Sequence, residues 1–215
     1  MIDDILGSIY PLKDFNLILA DGRFPQHIYL KSLLKTANNL IACDGSANRL
    51  LKHNIIPNHI IGDCDSISYK LYKQFKNIIT KDDDQSTNDL TKAVNLAHSL
   101  KLDNIVILGA TGMREDHAIA NIGLLIKYNT IINKIAMISD YGIFTVSNKN
   151  PISTIKGQQI SLFSPIPNTK ITCSELKWPL SNYQFNSWNS GTLNEATGNY
   201  IIISSNNPII VYRSF

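Results

Sequence analysis

Apolar residues in the first 140 positions form six short β-type runs, separated by stretches of helical period. In those intervening stretches apolar residues recur every three or four positions, as on the buried face of a helix. Such alternation predicts a parallel sheet with helices on both faces and right-handed crossovers. The predicted strands are residues 15–20, 40–44, 59–63, 77–81, 105–110 and 134–140, and the predicted helices are 26–37, 46–53, 69–75, 89–100 and 117–128.

The pattern changes after residue 140, where short β-type runs continue without a convincing helix between them. Turn signals such as Lys156-Gly157 and Asn206-Asn207-Pro208 punctuate these runs. We therefore expect an α/β domain at residues 1–140 and a small antiparallel β-sandwich at residues 141–215. The predicted strands of the second domain are residues 144–147, 159–163, 170–173, 200–204 and 209–212.

Composition and charge exclude several classes of protein. Hydrophobic residues make up 44% of the chain and charged residues 17%, which is typical of a folded globular protein. The net charge of +3 comes from scattered Lys and Arg residues, so we expect no nucleic-acid partner. There is no apolar run of roughly 18 residues and no signal-peptide pattern, so we expect no membrane association. Three widely spaced cysteines indicate neither a disulfide framework nor a zinc site, and favour a cytoplasmic protein.

Four aspartates are expected at one edge of the predicted sheet. Asp44, Asp63 and Asp65 fall at or just after the carboxyl ends of two predicted strands, and Asp89 opens a predicted helix. In open α/β sheets, ligands bind at this edge. If their segment is extended, Asp63 and Asp65 face the same way and could share a cation. Because clustered carboxylates repel one another, the pattern favours a divalent cation such as Mg²⁺.

Some acidic residues also have a simpler interpretation. Asp65-Ser66 could cap a helix that begins near Ile67, because Asp is a common helix cap. Asp116 could likewise be the N-cap of the next predicted helix. We interpret the acidic run at residues 82–84 as a solvated loop.

A turn with two glycines follows the predicted strand at residues 105–110. Gly109 and Gly112 would let the backbone approach a phosphate, and Arg114 could neutralise it through a planar fork of donors. Neither a Walker A motif nor GxGxxG is present, so the P-loop and dinucleotide-binding classes are not supported. Together with the aspartates, this turn indicates a Mg²⁺-dependent phosphoryl-transfer enzyme.

Five segments, in this order, resemble the thiamine pyrophosphokinase family. Each is weak by itself, but their order and spacing along most of the chain make the set specific. The segments are Asp44-Gly45; Gly62-Asp63-Cys64-Asp65-Ser66; Asp84-Gln85-Ser86-Thr87-Asn88-Asp89 with Lys92; residues 109–117 with Arg114, Asp116 and His117; and Lys177-Trp178 with Gly191-Thr192-Leu193-Asn194-Glu195.

The resemblance implies transfer of pyrophosphate from ATP to the hydroxyethyl group of thiamine, giving thiamine diphosphate and AMP. It also implies Mg²⁺ as cofactor, a homodimer, an N-terminal catalytic domain and a C-terminal thiamine-binding domain. It assigns Asp44, Asp63, Asp65 and Asp89 to the metal; Asp63, Asp65, Asp89 and Arg114 to catalysis; Asp44, Gly45, Thr111, Arg114 and Asp116 to the nucleotide; and Gln85, Trp178, Thr192 and Asn194 to thiamine. Trp178 could stack on the thiazolium cation, although a tryptophan is more often a core residue.

This sequence departs from the family pattern at four positions. Asn88 replaces a threonine and Ser86 replaces an aspartate, and both changes keep a small polar side chain. Gly191 and Leu193 stand where the family usually has serines, so two hydroxyls expected near thiamine are missing.

Two alternative functions are open at this point. A Mg²⁺-dependent phosphohydrolase would use Asp63 as a nucleophile and release phosphate without an acceptor. A catalytically silent module would bind a nucleotide or thiamine without turnover. Four clustered carboxylates argue against the silent module, because a pure binder has no need to hold repelling charges together.

Overall fold

The computed structural model describes residues 2–147 and 150–215, and the chain divides into two compact units. The first unit is Asp14–Ser139, and the second is Met1–Lys13 together with Asp140–Phe215. The chain passes from the first unit to the second between Ser139 and Asp140. Residues 1–13, which the sequence grouped with the α/β domain, belong to the second unit.

The first unit is built on six parallel strands in the order β6-β5-β1-β2-β3-β4. Every residue of β1, β2 and β5 is buried, as expected for a parallel sheet covered on both faces. The strands are β1 (Asn16–Leu19), β2 (Leu40–Cys43), β3 (His59–Gly62), β4 (Ile79–Lys81), β5 (Ile105–Leu108) and β6 (Ile135–Ser139). The helices, numbered from the N-terminal α1 (Ile2–Ile9) of the second unit, are α2 (Ile28–Thr36), α3 (Ser46–Lys52), α4 (Tyr69–Phe75), α5 (Asp89–Ser99) and α6 (Glu115–Ile131).

The order of the strands creates a switch point beside β1. The chain runs outward from β1 through β2, β3 and β4, then returns to place β5 on the other side of β1. The loops that leave β1 and β5 therefore diverge at the carboxyl edge of the sheet. In open α/β sheets such a divergence is where a ligand-binding crevice forms.

The second unit contains antiparallel strands in three groups, as expected for its all-β pattern. Their orders are β12-β9-β15-β7, β11-β10-β14 and β13-β8. Side chains from all three groups meet in one apolar core that includes Ile160, Ile171 and Ile201. The strands are β7 (Gly142–Val146), β8 (Ile152–Ser153), β9 (Gln159–Phe163), β10 (Lys170–Cys173), β11 (Leu180–Gln184), β12 (Gly191–Glu195), β13 (Tyr200–Ile201), β14 (Ser204–Ser205) and β15 (Ile210–Ser214).

A buried arginine ties α1 to the C-terminal strands. The Arg213 guanidinium is 2% exposed and donates to the carbonyls of Ile9 (3.0 Å) and Ser153 (2.7 Å) and to Thr145 Oγ1 (3.3 Å). Burial lowers the pKa of Arg213 to about 10. Because Leu6 and Ile9 of α1 are also buried, the N-terminal helix is part of the second unit.

The helices are short relative to a lipid bilayer. The longest, α6, has 17 residues. Across residues 2–147 and 150–215, no helix combines the length and the apolar character needed to cross a membrane.

Candidate active site

A cleft of about 440 Å³ opens in the first unit, at the carboxyl edge of the parallel sheet. Loops that follow β1, β3, β4 and β5 contribute to its wall, and α5 and α6 begin beside it. The cleft is lined by Ala20, Asp21, Gly22, Cys43, Asp63, Gln85, Thr87, Asn88, Asp89, Leu90, Lys92, Ala110, Thr111, Met113, Arg114, His117 and Asn121.

Three of the four predicted metal ligands come together. Each of Asp44, Asp63 and Asp65 offers a carboxylate oxygen, and the three oxygens lie within 4.8 Å of one another. The link between Asp63 and Asp65 is a turn rather than the expected extended segment, because Cys64 is left-handed with φ of 68°. Asp63 Oδ1 accepts the Asp65 N–H at 3.3 Å, and this bond lowers the pKa of Asp63. The turn therefore keeps Asp63 ionised inside the cluster.

Asp44 is the buried member of the cluster, with 2% exposure. Its Oδ2 accepts the Ser66 N–H at 3.3 Å, and its buried Oδ1 has no hydrogen-bond partner among the described residues. Burial raises the pKa of Asp44 to about 6, opposed by the hydrogen bonds from Ser66 and reinforced by the charges of Asp89 and Asp63. A buried carboxylate oxygen without a donor is an uncompensated acceptor, which a cation would satisfy.

Asp89 is outside this three-residue group and is paired with a lysine instead. Lys92 lies one helical turn away, with its Nζ 3.4 Å from Asp89 Oδ1 and 2.8 Å from the Asp82 carbonyl oxygen. The Lys92 side chain is almost fully buried, at 4% exposure. Burial raises the pKa of Asp89, while Lys92 opposes that effect and the charges of Asp63 and Asp65 add to it. Asp89 is thus coupled to the acidic cluster by charge.

Neither helix-cap alternative holds. The N-cap of α4 is Ser68, whose Oγ accepts the Leu71 N–H at 3.4 Å, so Asp65 is not needed as a cap. Asp116 lies inside α6 and pairs with Arg114, with 2.6 Å between Arg114 Nη2 and Asp116 Oδ2.

This ion pair fixes the charge state of both partners. The bond to Arg114 holds the pKa of Asp116 near 2, and the same bond raises the pKa of Arg114. Arg114 is a cation on the cleft wall, as any arginine is, and the partner Asp116 fixes the position of its guanidinium.

Other predicted contacts lie in or beside the cleft. Gln85 Nε2 lies 3.5 Å from Asp63 Oδ2, so its loop reaches the acidic cluster. Thr111 lines the cleft and accepts the Arg23 N–H at its carbonyl (2.8 Å). Gly45, directly after Asp44, is the N-cap of α3. The acidic run at residues 82–84 is largely exposed, in keeping with a solvated loop.

Sequence reasoning missed several polar residues of the cleft. Asp21 lines it and forms an ion pair with Arg49, and Arg49 Nη2 also donates to the Asp21 carbonyl (2.6 Å). Asp21 follows β1 as Asp44 follows β2, so its place after a strand was a usable signal. Lys92 is part of a segment that resembles the family but was given no role, and Asn121 gave no comparable signal because it lies inside a helical pattern.

In the second unit, Asn194 clamps the backbone of Trp178. Trp178 N donates to Asn194 Oδ1 (3.2 Å), and Asn194 Nδ2 donates to the Trp178 carbonyl (2.8 Å). The Trp178 ring is 56% exposed, so it is not a core residue. The ammonium of Lys177 lies 5.1 Å from its ring centroid, which is the geometry of a cation–π contact.

The two departures in β12 have distinct local surroundings. A Cβ on Gly191 would lie 2.9 Å from the Leu162 Cβ and 3.0 Å from the Leu162 carbonyl oxygen, so a serine does not fit this backbone. Leu193 has a φ of 60° and is 76% exposed, and its N–H donates to Ser161 Oγ (3.1 Å). Thr192, which lies between them, is half-buried.

The fold and the cleft define a class: an α/β phosphoryl-transfer enzyme with an oxygen-ligand cluster at the carboxyl edge of its sheet. Two family models match the chain. The model described as "Thiamin pyrophosphokinase, catalytic domain" matches residues 30–137, and "Thiamin pyrophosphokinase, substrate-binding domain" matches residues 142–212.

Similar proteins agree with both matches. Thiamine pyrophosphokinase 2 of Oryza sativa subsp. japonica is 29% identical, over 80% of this chain and 74% of its own length. Thiamine pyrophosphokinase 2 of Arabidopsis thaliana is 28% identical, over 84% of this chain and 76% of its own length.

Solved structures share the fold. Thiamin pyrophosphokinase from Candida albicans superposes with a TM-score of 0.75 at 20% identity, covering 94% of this chain and 89% of that one. Thiamine pyrophosphokinase from Bacillus subtilis gives a TM-score of 0.73 at 24% identity, covering 93% and 98%. The chain therefore belongs to the thiamin pyrophosphokinase family, and its activity is that of a transferase that forms thiamine diphosphate by pyrophosphoryl transfer.

Proposed function

We propose that this enzyme takes its pyrophosphoryl group from Mg²⁺-ATP, transfers it to the hydroxyethyl oxygen of thiamine and releases AMP. The observation that carries the proposal is the meeting of Asp44, Asp63 and Asp65 in the unit whose cleft also contains Arg114. In a metal-bound polyphosphate, the acidic cluster suits the metal ion and the arginine suits the phosphate oxygens.

Mg²⁺ is the cofactor that best fits the acidic cluster. The three donor groups offer only carboxylate oxygens, which are hard ligands, and one of those oxygens is buried and without a partner among the described residues. When bound, Mg²⁺ would supply charge neutralisation on the phosphate oxygens. Asp44, Asp63 and Asp65 would hold it, and Asp89, held by Lys92, is the proposed fourth ligand.

The chain's own side chains would position the phosphates and compensate their charge. Arg114 lines the cleft as a permanent cation, and Asp116 orients its guanidinium through bonds of 3.1 and 2.6 Å. Gly45 and Thr111 are the remaining proposed nucleotide contacts. Such fixed charges act most strongly where charge develops in the transition state.

The chemistry is an in-line displacement at the β-phosphorus. The thiamine hydroxyl loses its proton to solvent water, and a bond forms between its oxygen and the β-phosphorus. The bond between that phosphorus and the oxygen retained by AMP breaks. Asp63, Asp65, Asp89 and Arg114 are the proposed catalytic residues.

Thiamine recognition is proposed for Gln85 in the first unit and for Trp178, Thr192 and Asn194 in the second. The exposed Trp178 ring already carries one cation, the Lys177 ammonium, and the thiazolium is also a cation. The clamp from Asn194 fixes the Trp178 backbone, which would reduce the cost of ordering the ring on binding.

A cytoplasmic homodimer is part of the proposal. All three cysteines are free thiols, which is in keeping with a reducing compartment. The second unit exposes other large apolar side chains, namely Leu193 and Tyr200, which a partner copy would cover. Light scattering of the purified protein should give twice the chain mass of 24.0 kDa.

Phosphorus NMR of the protein with Mg²⁺-ATP, with and without thiamine, tests the donor and the acceptor together. AMP and thiamine diphosphate should appear together, and only when both thiamine and Mg²⁺ are present. Inorganic phosphate formed without thiamine would indicate a hydrolase instead. No turnover under any condition would indicate a silent binder.

A further inference from the structure

A buried asparagine joins two walls of the cleft. Asn121 of α6 is 7% exposed and lines the cleft. Its Nδ2 donates to the Ala110 carbonyl at 2.9 Å, and its Oδ1 accepts from Asn88 Nδ2, also at 2.9 Å. Ala110 begins the loop that carries Thr111 and Arg114, whereas Asn88 directly precedes Asp89. One side chain therefore contacts both the arginine loop and the start of α5.

The direction of every bond in this network is determined. The Ala110 carbonyl can only accept, so Asn121 must present its Nδ2 there and its Oδ1 to Asn88. Asn88 must then present its Nδ2 to Asn121, which leaves its Oδ1 to accept from Thr91 N (2.9 Å) and Thr91 Oγ1 (2.7 Å). Because the Thr91 hydroxyl proton is used in that bond, the Tyr128 hydroxyl donates to Thr91 Oγ1 at 2.8 Å. Because each hydrogen bond can run in only one direction, the network specifies one arrangement of these side chains.

We propose that Asn88 and Asn121 are positioning residues for pyrophosphoryl transfer, which together set the placement of Arg114 relative to Asp89. This inference rests on the proposed function, in which Arg114 and Asp89 act on the same polyphosphate. Neither asparagine needs to touch the substrate. The hydrogen bond between them couples the position of the arginine loop to that of the α5 N-terminus. Small errors in the placement of catalytic groups reduce the rate by large factors.

Asn88 is well suited to this role because it has two polar atoms. Its Oδ1 caps α5 while its Nδ2 reaches Asn121. The resemblance places a threonine at this position, and a threonine has one shorter polar group. Asn88→Thr should therefore keep the cap and lose the bond to Asn121.

The same unit contains a matched control pair at the opposite edge of the sheet. Asn16, the first residue of β1, is 8% exposed. Its Nδ2 donates to the Asp103 carbonyl (2.7 Å), and its Oδ1 accepts from Asn39 Nδ2 (2.8 Å). Asn16→Leu thus removes the same kind of buried asparagine bonding without touching the cleft.

The experiment compares Asn88→Thr, Asn121→Leu, the double variant and Asn16→Leu. Steady-state kinetics with Mg²⁺-ATP and thiamine, below the unfolding temperature of every variant, should give a kcat about tenfold lower or more for Asn121→Leu. The KM values should change less than kcat. Asn16→Leu should stay within about twofold of wild type despite a comparable loss of thermal stability. The kcat of the double variant should be no lower than that of Asn121→Leu, because both substitutions remove the same hydrogen bond between residues 88 and 121.

Backbone hydrogen exchange of residues 110–114 supplies a readout that does not depend on turnover. Asn88→Thr should speed this exchange by about tenfold although the substitution is in another element, whereas Asn16→Leu should leave it unchanged. Unchanged exchange in Asn88→Thr, multiplying effects in the double variant, or equal kinetic losses in Asn121→Leu and Asn16→Leu would overturn the proposal. A wild-type enzyme that fails to make AMP and thiamine diphosphate would overturn the proposed function instead, and the exchange result would still decide whether the two walls are coupled.

Discussion

Gly62 packs so closely against Asp44 that a Cβ built on the glycine would lie 2.7 Å from the Asp44 Cβ. The glycine ends β3, directly before Asp63, so the two neighbouring strands can approach only if residue 62 has no side chain. The backbone position of Asp63 therefore depends on the backbone position of Asp44. The acidic cluster is built on this close approach.

Gly62→Ala should therefore damage both the fold and the cluster. We expect a loss of about 1–3 kcal/mol in the free energy of unfolding, because the Asp44 Cβ belongs to a buried strand end and cannot move aside freely. Thermal or urea unfolding measures the loss. Gly123→Ala in α6 is the control: apart from its chain neighbours and the nearby backbone of its own helix, no atom lies within 4 Å of its added Cβ. This variant should raise stability by up to about 1 kcal/mol. Equal stability of the two variants would contradict the packing argument.

Asp63→Asn and Asp65→Asn should each lower kcat/KM by about 100-fold or more, because they remove carboxylates proposed to hold Mg²⁺. Raising the Mg²⁺ concentration should recover part of the activity. Asp83→Asn is the matched control, since Asp83 pairs with Lys81 at 2.8 Å on an exposed loop outside the cluster. Activity near the wild-type level in both cluster variants would exclude them as metal ligands.

Trp178→Ala should raise the KM for thiamine much more than the KM for ATP, because the exposed ring is proposed to stack on the thiazolium. Steady-state kinetics with each substrate varied in turn measures the two constants. Trp188→Ala is a suitable comparison, because Trp188 packs on Phe163 with ring centroids 5.3 Å apart. That variant should lose stability without this selective effect. Equal changes in both KM values for Trp178→Ala would argue against stacking.

The Tyr128 hydroxyl should make the protein less stable in alkali. Burial raises the pKa of Tyr128 from 10.0 to about 12, so the neutral phenol is favoured in the folded state. The contribution of the neutral Tyr128 hydroxyl to the free energy of unfolding is complete below pH 10. It is lost as the pH rises from 10 to 12.

Tyr128→Phe tests this contribution. It should be less stable than wild type by about 1 kcal/mol at pH 8, because the bond to Thr91 is lost. By pH 11 the difference should nearly vanish, since each pKa unit corresponds to about 1.4 kcal/mol. Urea unfolding at both pH values measures it. A difference that does not depend on pH would show that Tyr128 does not titrate as expected.

The parallel sheet was predictable because its strands β1, β2 and β5 are buried along their whole length and helical periods separate the strands. The antiparallel second unit was predicted as a class, but three of its strands were missed. β8 has only two residues, and β11 and β12 lack a clear alternation of buried and exposed positions. The helix α1 was also missed. The carbonyl of its last residue, Ile9, accepts from Arg213, a partner 204 positions away, and no local pattern reveals such a contact.

The candidate site was predictable where a residue follows a strand. Asp44, Asp63 and Asp65 were found in this way, since parallel strands deliver their carboxyl ends to one edge. The pairing of Asp89 with Lys92 was not predictable from the sequence, because a lysine in a helical pattern is ordinarily solvated. Asn121 was missed for a similar reason: its role depends on Asn88, which another helix presents.

The grouping of α1 with the C-terminal strands has a consequence for synthesis on the ribosome. Asp14–Ser139 is continuous in the chain, so this unit can fold as soon as β6 has emerged. The other unit is discontinuous, because α1 is synthesised before any strand and Arg213 lies within the last one. Until translation reaches that arginine, the Ile9 carbonyl of α1 lacks its Arg213 donor. Although α1 precedes every strand of its unit, its bond to the C-terminal strand can form only when nearly all of the unit has been made.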